Sequence, residues 1–305
     1  MLSEYRRLLR IIPLLTGLVL VLQGCAGQRP ITATATTAVP AAETPPIASA
    51  AADSVLLWTM YEEGVAAAKY PDPAKVYRDL VPILRSTPAL RWNDQGQVLM
   101  ATWSRVAFYT DSVYVPGYEF PLYGQTWFTA VPFLQNECKH FDQATLDMRL
   151  KQVLGLPPND DKDAFLQVWI DPIYLFRPCP DPGIGDHECQ VRIPMARARP
   201  EPLYQENNQP PWACPTPAPA AAQGGRLAQV SGAYVLVNQA HLNWMCDNWV
   251  STYIQPPEKQ YPWTALGYTY DWGHPADPIG QSEFVAPAGS PVVFDSVTPT
   301  AAYCK

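Results

Sequence analysis

Charged side chains are scarce in this chain, at 16% of 305 residues, against ~25% in ordinary soluble domains. Basic residues are the minority, 21 Lys and Arg to 28 Asp and Glu, giving a formal charge of −7. A nucleic-acid partner is therefore not expected, and anionic lipid has little to attract directly. No C-x-x-C pair occurs, and His140, His187, His241 and His274 are scattered, so the ligand spacing of a zinc site is missing. There is no G-x-S-x-G elbow and no Gly-rich phosphate loop, which removes the usual serine-hydrolase and nucleotide-cradle patterns. No cofactor or metal is implied.

What the chain does have is 48% apolar residues, 34 prolines and seven cysteines. The first segment pairs Arg6, Arg7 and Arg10 with an apolar run, Ile11 to Leu22, interrupted by Pro13 and Gly17. That run falls short of the ~20 residues that span a bilayer, and with small residues at its end it reads as a secretory signal over 1–24. The stretch Leu22-Gln23-Gly24-Cys25 resembles the lipobox of bacterial lipoproteins, Leu-x-(Gly/Ala/Ser)-Cys. The resemblance implies that Cys25 is diacylated, becomes the mature N-terminus and anchors the protein to a membrane. Ala26 stands where an inner-membrane retention signal would carry Asp, so the resemblance implies the outer membrane of the cell envelope, on its periplasmic or surface face. Residues 1–24 hold a net +2 of the formal −7, which leaves −9 on the rest.

Residues 25–52 are Ala, Thr and Pro with almost no bulky apolar side chain, a composition that cannot bury enough surface to order itself. They read as a disordered tether reaching roughly 30 Å as flexible coil. The remaining 53–305 read as a single α+β domain of roughly 250 residues, long enough for a sizeable core. Six cysteines remain besides Cys25, an even count that in an exported chain reads as disulfides. Cys179 and Cys189 bracket a rigid Pro-rich turn, and Cys246 lies on a helix able to hold Cys214. Cys138 and Cys304 are left for each other.

Along the domain, Asp53 is expected to cap a helix through Val65, and Asp72-Pro73 a second one carrying Val76, Tyr77, Leu80 and Leu84. This helical pair is expected to pack on a mixed or antiparallel sheet. Asn93 to Gln97 read as a hairpin turn, followed by strands at 98–103, 106–115 and 126–131. Asp142 is placed to cap a helix bearing Leu146, Leu150, Val153 and Leu154, ended by Gly155. Phe165 to Ile170 read as a buried strand, and 197–230 as a Pro-rich insertion. From Tyr234 a helix is expected, with Leu242, Met245, Trp249 and Tyr253 on its core face. Two short strands around a loop at 274–280 close the chain. With Arg177 to Pro182, the block from Tyr261 to Gly273 resembles a group of bacterial exported proteins over roughly residues 98–304, and that resemblance brings no activity with it.

Two constellations have catalytic residue types. Asp271 and Glu283, with His274 nearby, stand among Trp263, Tyr268, Tyr270 and Trp272. Two carboxylates beside exposed rings are the equipment for binding and hydrolysing glycan. The alternative is that the rings pack in the core and Asp271 caps a turn. Gln281 to Ser290, in turn, looks like the last strand motif of ADP-ribosyltransferases. That resemblance implies a ribose-holding Glu283 and an acceptor-orienting Gln281, although no Ser-Thr-Ser strand accompanies them. The expectation that best fits the whole chain is a membrane-anchored envelope lipoprotein with a non-catalytic binding or structural role. Its partners would be the membrane through the lipid, and an envelope glycan or another envelope protein. An envelope enzyme is the alternative.

Overall fold

Apolar strands from distant parts of the chain pair into one sheet. The computed structural model describes residues 47–109, 113–192, 209–212, 214 and 239–305. Cys25, the 1–24 signal, most of the 25–52 tether and nearly all of the 197–230 insertion lie outside the described residues. The helices are α1 (Ile47–Ala68), α2 (Phe133–Cys138), α3 (Leu146–Val153), α4 (Gln239–Tyr253) and α5 (Thr300–Tyr303). The strands are β1 (Val98–Ser104), β2 (Glu119–Pro121), β3 (Thr126–Ala130), β4 (Ala164–Ile170), β5 (Tyr268–Tyr270), β6 (Ile279–Ala286) and β7 (Pro291–Pro299).

Among the described residues these strands form an antiparallel sheet in the order β2-β7-β4-β1-β3-β6-β5. The α+β class expected from the sequence is thus the class found. The central strands β1 and β4 are covered on both faces, which is why they read as near-continuous apolar runs. Successive side chains alternate between the two faces. Met100, Phe128, Val168, Phe284 and Phe294 meet Ile83, Leu90, Leu175 and Ile184 on one side. Leu99, Trp103 and Phe165 meet Leu134, Leu146, Leu150 and Tyr303 on the other, under α2, α3 and α5. A third cluster joins α1 to α4 through Tyr61, Val65, Met245 and Trp249, with Trp263, Tyr270 and Trp272.

Three disulfides close the fold: Cys138–Cys304, Cys179–Cys189 and Cys214–Cys246. These are the pairings expected above. Cys246 sits on α4, whose stripe Leu242, Met245, Trp249 and Tyr253 is buried as its spacing implied.

Several local expectations are corrected. The first helix starts at Ile47, inside the expected tether, so Asp53 lies within α1 instead of capping it. Its neighbour is α4, not a second helix at Asp72. Asp72 does cap, accepting from the Ala74 amide at 2.8 Å, but only a 3-10 turn over Pro73–Lys75 follows. Beyond it the chain is an extended strap. The Leu80 amide donates to His187 O at 2.9 Å, Val81 to Ser282 Oγ at 2.9 Å, and Ile83 to Ile184 O at 2.7 Å. Those tertiary partners replace the helical ladder, and Pro82 has no amide to offer one. Residues 106–109 form a 3-10 turn instead of a strand. Asp142 caps a turn, and α3 begins later, at Leu146. Gly155, at φ 66°, ends α3 as expected.

Candidate functional site

The row of residues facing one another across the sheet decides where there is room. On the face covered by α2 and α3, Glu283 of β6 lies opposite Thr129 of β3, and Thr129 lies opposite Ala101 of β1. Ala101 and Thr129 are small, while Trp103, Phe165 and Trp127 around them are large. The floor therefore sinks between tall walls. Leu154, Gly155 and Leu156 from the end of α3, with Tyr261, Pro262 and Trp263 ahead of β5, complete a cleft of about 410 Å³. That volume is in the range of ~300–1,000 Å³ that small ligands occupy.

Glu283 is the carboxyl in this cleft. It is 6% exposed, and its Oε1 has no hydrogen-bond partner among the described residues. Desolvation pushes its carboxyl up to about 8, so it is neutral at neutral pH. Several other polar groups of the lining are already engaged. Thr269 Oγ1 donates to Val153 O at 2.6 Å and accepts from the Gln281 amide at 2.8 Å. Thr129 Oγ1 donates to Ala101 O at 3.4 Å, and Lys162 is paired with Asp160. Trp127 meets Tyr261 and Trp263 with ring centroids 6.3 and 6.5 Å apart and planes 81° apart in both pairs.

Asp271 does not join Glu283 in the cleft. It is buried and held by Arg149, whose Nη1 and Nη2 donate to its two oxygens at 2.8 and 2.5 Å. His274 lies beside them, Nδ1 3.2 Å from Asp271 Oδ2, with its side chain 63% exposed. Asp271 also accepts from the Gly273 amide at 3.0 Å, so it caps the turn after β5. Gln281, on the same face as Glu283, donates to Glu137 of α2. Burial raises the Glu137 carboxyl above its usual range, against the lowering effect of Arg149.

The rings expected to stack sugars are core residues. Trp263, Tyr268, Tyr270 and Trp272 are all buried, and Trp263 alone of these lines the cleft. The polar atoms of three of them face inward: Trp263 Nε1 donates to Pro178 O, Tyr268 OH to Lys75 O, and Trp272 Nε1 to Leu156 O, each at 3.0 Å. A carboxylate pair ringed by exposed aromatics is therefore not what Asp271 and Glu283 make.

Sequence reasoning missed Trp127, Tyr261, Thr129 and Ala101. The signal that pointed to the cleft was Glu283 itself, an acid directly before the apolar run Phe284-Val285-Ala286. Among the described residues, no group of three or more His, Cys, Asp or Glu side chains is arranged to hold a metal ion. No helix among them is long and apolar enough to cross a membrane. No protein-family profile, curated protein or solved structure matches the chain.

Proposed function

We propose that this chain is an envelope lipoprotein whose domain binds a small ligand in the cleft beneath Glu283. The protein is held at the outer membrane through diacylated Cys25 and acts by binding, without catalysis. The lipobox-like Leu22-Gln23-Gly24-Cys25 supports the anchor, and three disulfides support an exported, oxidising location. The observation that carries the binding role is the cleft of about 410 Å³ with one carboxyl, Glu283, and no second acid beside it. Asp271, the other half of a glycan-hydrolysing pair, is occupied by Arg149.

Both halves of the proposal are testable on the full chain. Cys25→Ser is expected to move the protein from the membrane fraction to the soluble fraction, and unchanged fractionation overturns the anchor. For the cleft, wild type and Thr129→Leu are compared in a thermal-shift screen of small organic compounds. Thr129→Leu fills the floor, and compounds that raise the wild-type Tm are expected to lose that effect. Equal shifts in both proteins, or none in wild type, overturn the cleft as the ligand site.

A further inference from the structure

We infer that the ligand of the cleft carries an organic ammonium group, seated between Trp127, Tyr261 and Trp263 with the carboxylate of Glu283 as its counter-charge. This assignment rests on the cleft being the binding site.

Three features lead to it. A buried acceptor with no donor is costly, and Glu283 Oε1 is one among the described residues. The nearest cation in the lining, Lys162, is bound to Asp160, so the positive partner is not supplied from within the lining. Trp127, Tyr261 and Trp263 all line the cleft, and Trp127 stands nearly perpendicular to the other two, so aromatic rings bound it from different directions. The negative face of an aromatic ring attracts a cation, and several rings around one point make a cage for alkylated ammonium.

A sugar or another many-hydroxyl ligand fits less well. The hydroxyls of Thr129 and Thr269 in the lining already bond Ala101 O and Val153 O.

Charge bookkeeping gives the inference a signature. The titratable groups facing Glu283 are Tyr253 of α4, Tyr261, Tyr268 of β5, and Lys162. The strand floor contributes none. Burial holds the Glu283 carboxyl at about 8, so at neutral pH it is protonated. A bound ammonium favours the ionised form, so the Glu283 O–H bond breaks and the proton leaves to solvent as the ion pair forms.

The test is calorimetric titration of the detergent-solubilised full chain with choline and with its neutral isostere 3,3-dimethylbutanol. Buffers of different ionisation enthalpy count the protons released. Choline is expected to bind at least about tenfold more tightly than the isostere, releasing close to one proton near pH 7. Glu283→Gln, which keeps shape and neutrality, is expected to retain the wild-type Tm near neutral pH or exceed it. It should lose the proton release and about tenfold or more of choline affinity. Trp127→Leu should weaken choline more than the isostere. Equal affinity for both probes without proton release overturns the ammonium assignment and leaves the cleft a site for neutral ligands. Binding of neither probe also overturns it, while the cleft itself stands or falls by the Thr129→Leu screen.

Discussion

Two buried titratable side chains set opposing pH responses. Glu283 ordinarily titrates near 4.5 and is raised to about 8 by burial. Between those values the folded state holds a proton that the unfolded state has released. Its contribution is thus full below about pH 4.5 and lost as pH rises to about 8. His241 on α4 is fully buried, with Nε2 donating to Cys179 O at 2.8 Å. Burial lowers its imidazole from 6.5 to about 4, outweighing that bond. There the unfolded state holds the extra proton, and stability is lost as pH falls from 6.5 toward 4. The two slopes oppose each other below about 6.5, so the Glu283 effect stands alone above it. Urea unfolding is expected to show wild type losing stability between about pH 6.5 and 8, within a full-window loss on the order of 5 kcal/mol. Glu283→Gln should flatten that decline, and a variant that declines as wild type does would place the proton elsewhere.

At the same scale, Arg177 explains why the Pro-rich turn needs no large core. It is fully buried, donating to Val81 O, Gly183 O and Asp186 O at 2.8, 3.0 and 2.7 Å, over the ring of Phe284 at 5.1 Å. Burial pushes its guanidinium down to about 10, so it is still charged at neutral pH. One side chain thereby ties the strap, the turn and β6 together. The Arg149–Asp271 pair does similar work between α3 and the turn after β5. Removing one partner of such a buried pair costs about 3–5 kcal/mol, because a charge is left stranded.

Among the elements, α1 lies tight against the end of β5 and the turn that follows it. A Cβ on Gly64 would lie 2.9 Å from Trp272 Cβ and 3.2 Å from Tyr270 Cε1. The first of those atoms is anchored to the backbone and cannot swing away. Gly64→Ala is therefore expected to destabilise by about 1–3 kcal/mol despite the gain of ~1 kcal/mol in helix propensity. Urea unfolding decides this, and a stabilised variant would show that α1 shifts at little cost. Legibility in the sequence followed locality. Phe165 to Ile170 and the α4 stripe carry their own periodicity and were readable. The strap was not, because Val76, Tyr77, Leu80 and Leu84 have helical spacing while the amides of Leu80, Val81 and Ile83 bond His187, Ser282 and Ile184, far along the chain. The cleft floor was equally hidden. Ala101, Thr129 and Glu283 meet only through strand register, which no local pattern records.

For the molecule as a whole, the disulfides differ chiefly in the loops they close. Cys138–Cys304 spans a sequence separation of 166, Cys179–Cys189 one of 10. In the chain-entropy account the long loop restrains the unfolded chain more, by about 2 kcal/mol. Replacing both Cys138 and Cys304 by Ala should lower stability more than replacing both Cys179 and Cys189. Equal losses in urea unfolding would mean that the short bridge acts through the folded turn it holds, including the bonds of Arg177.

Both outer strands of the sheet, β2 and β5, are three residues long. β2 ends in Pro121, and the pairing of β5 with β6 shifts register between Tyr268 and Tyr270. Long, flat strand edges are what neighbouring molecules zip onto when they are crowded. Under the proposed lipid anchor, copies held at one membrane would collide constantly, edges included. Such collisions would find few unpaired backbone groups to join, so a dense lawn of this protein should stay a population of separate molecules.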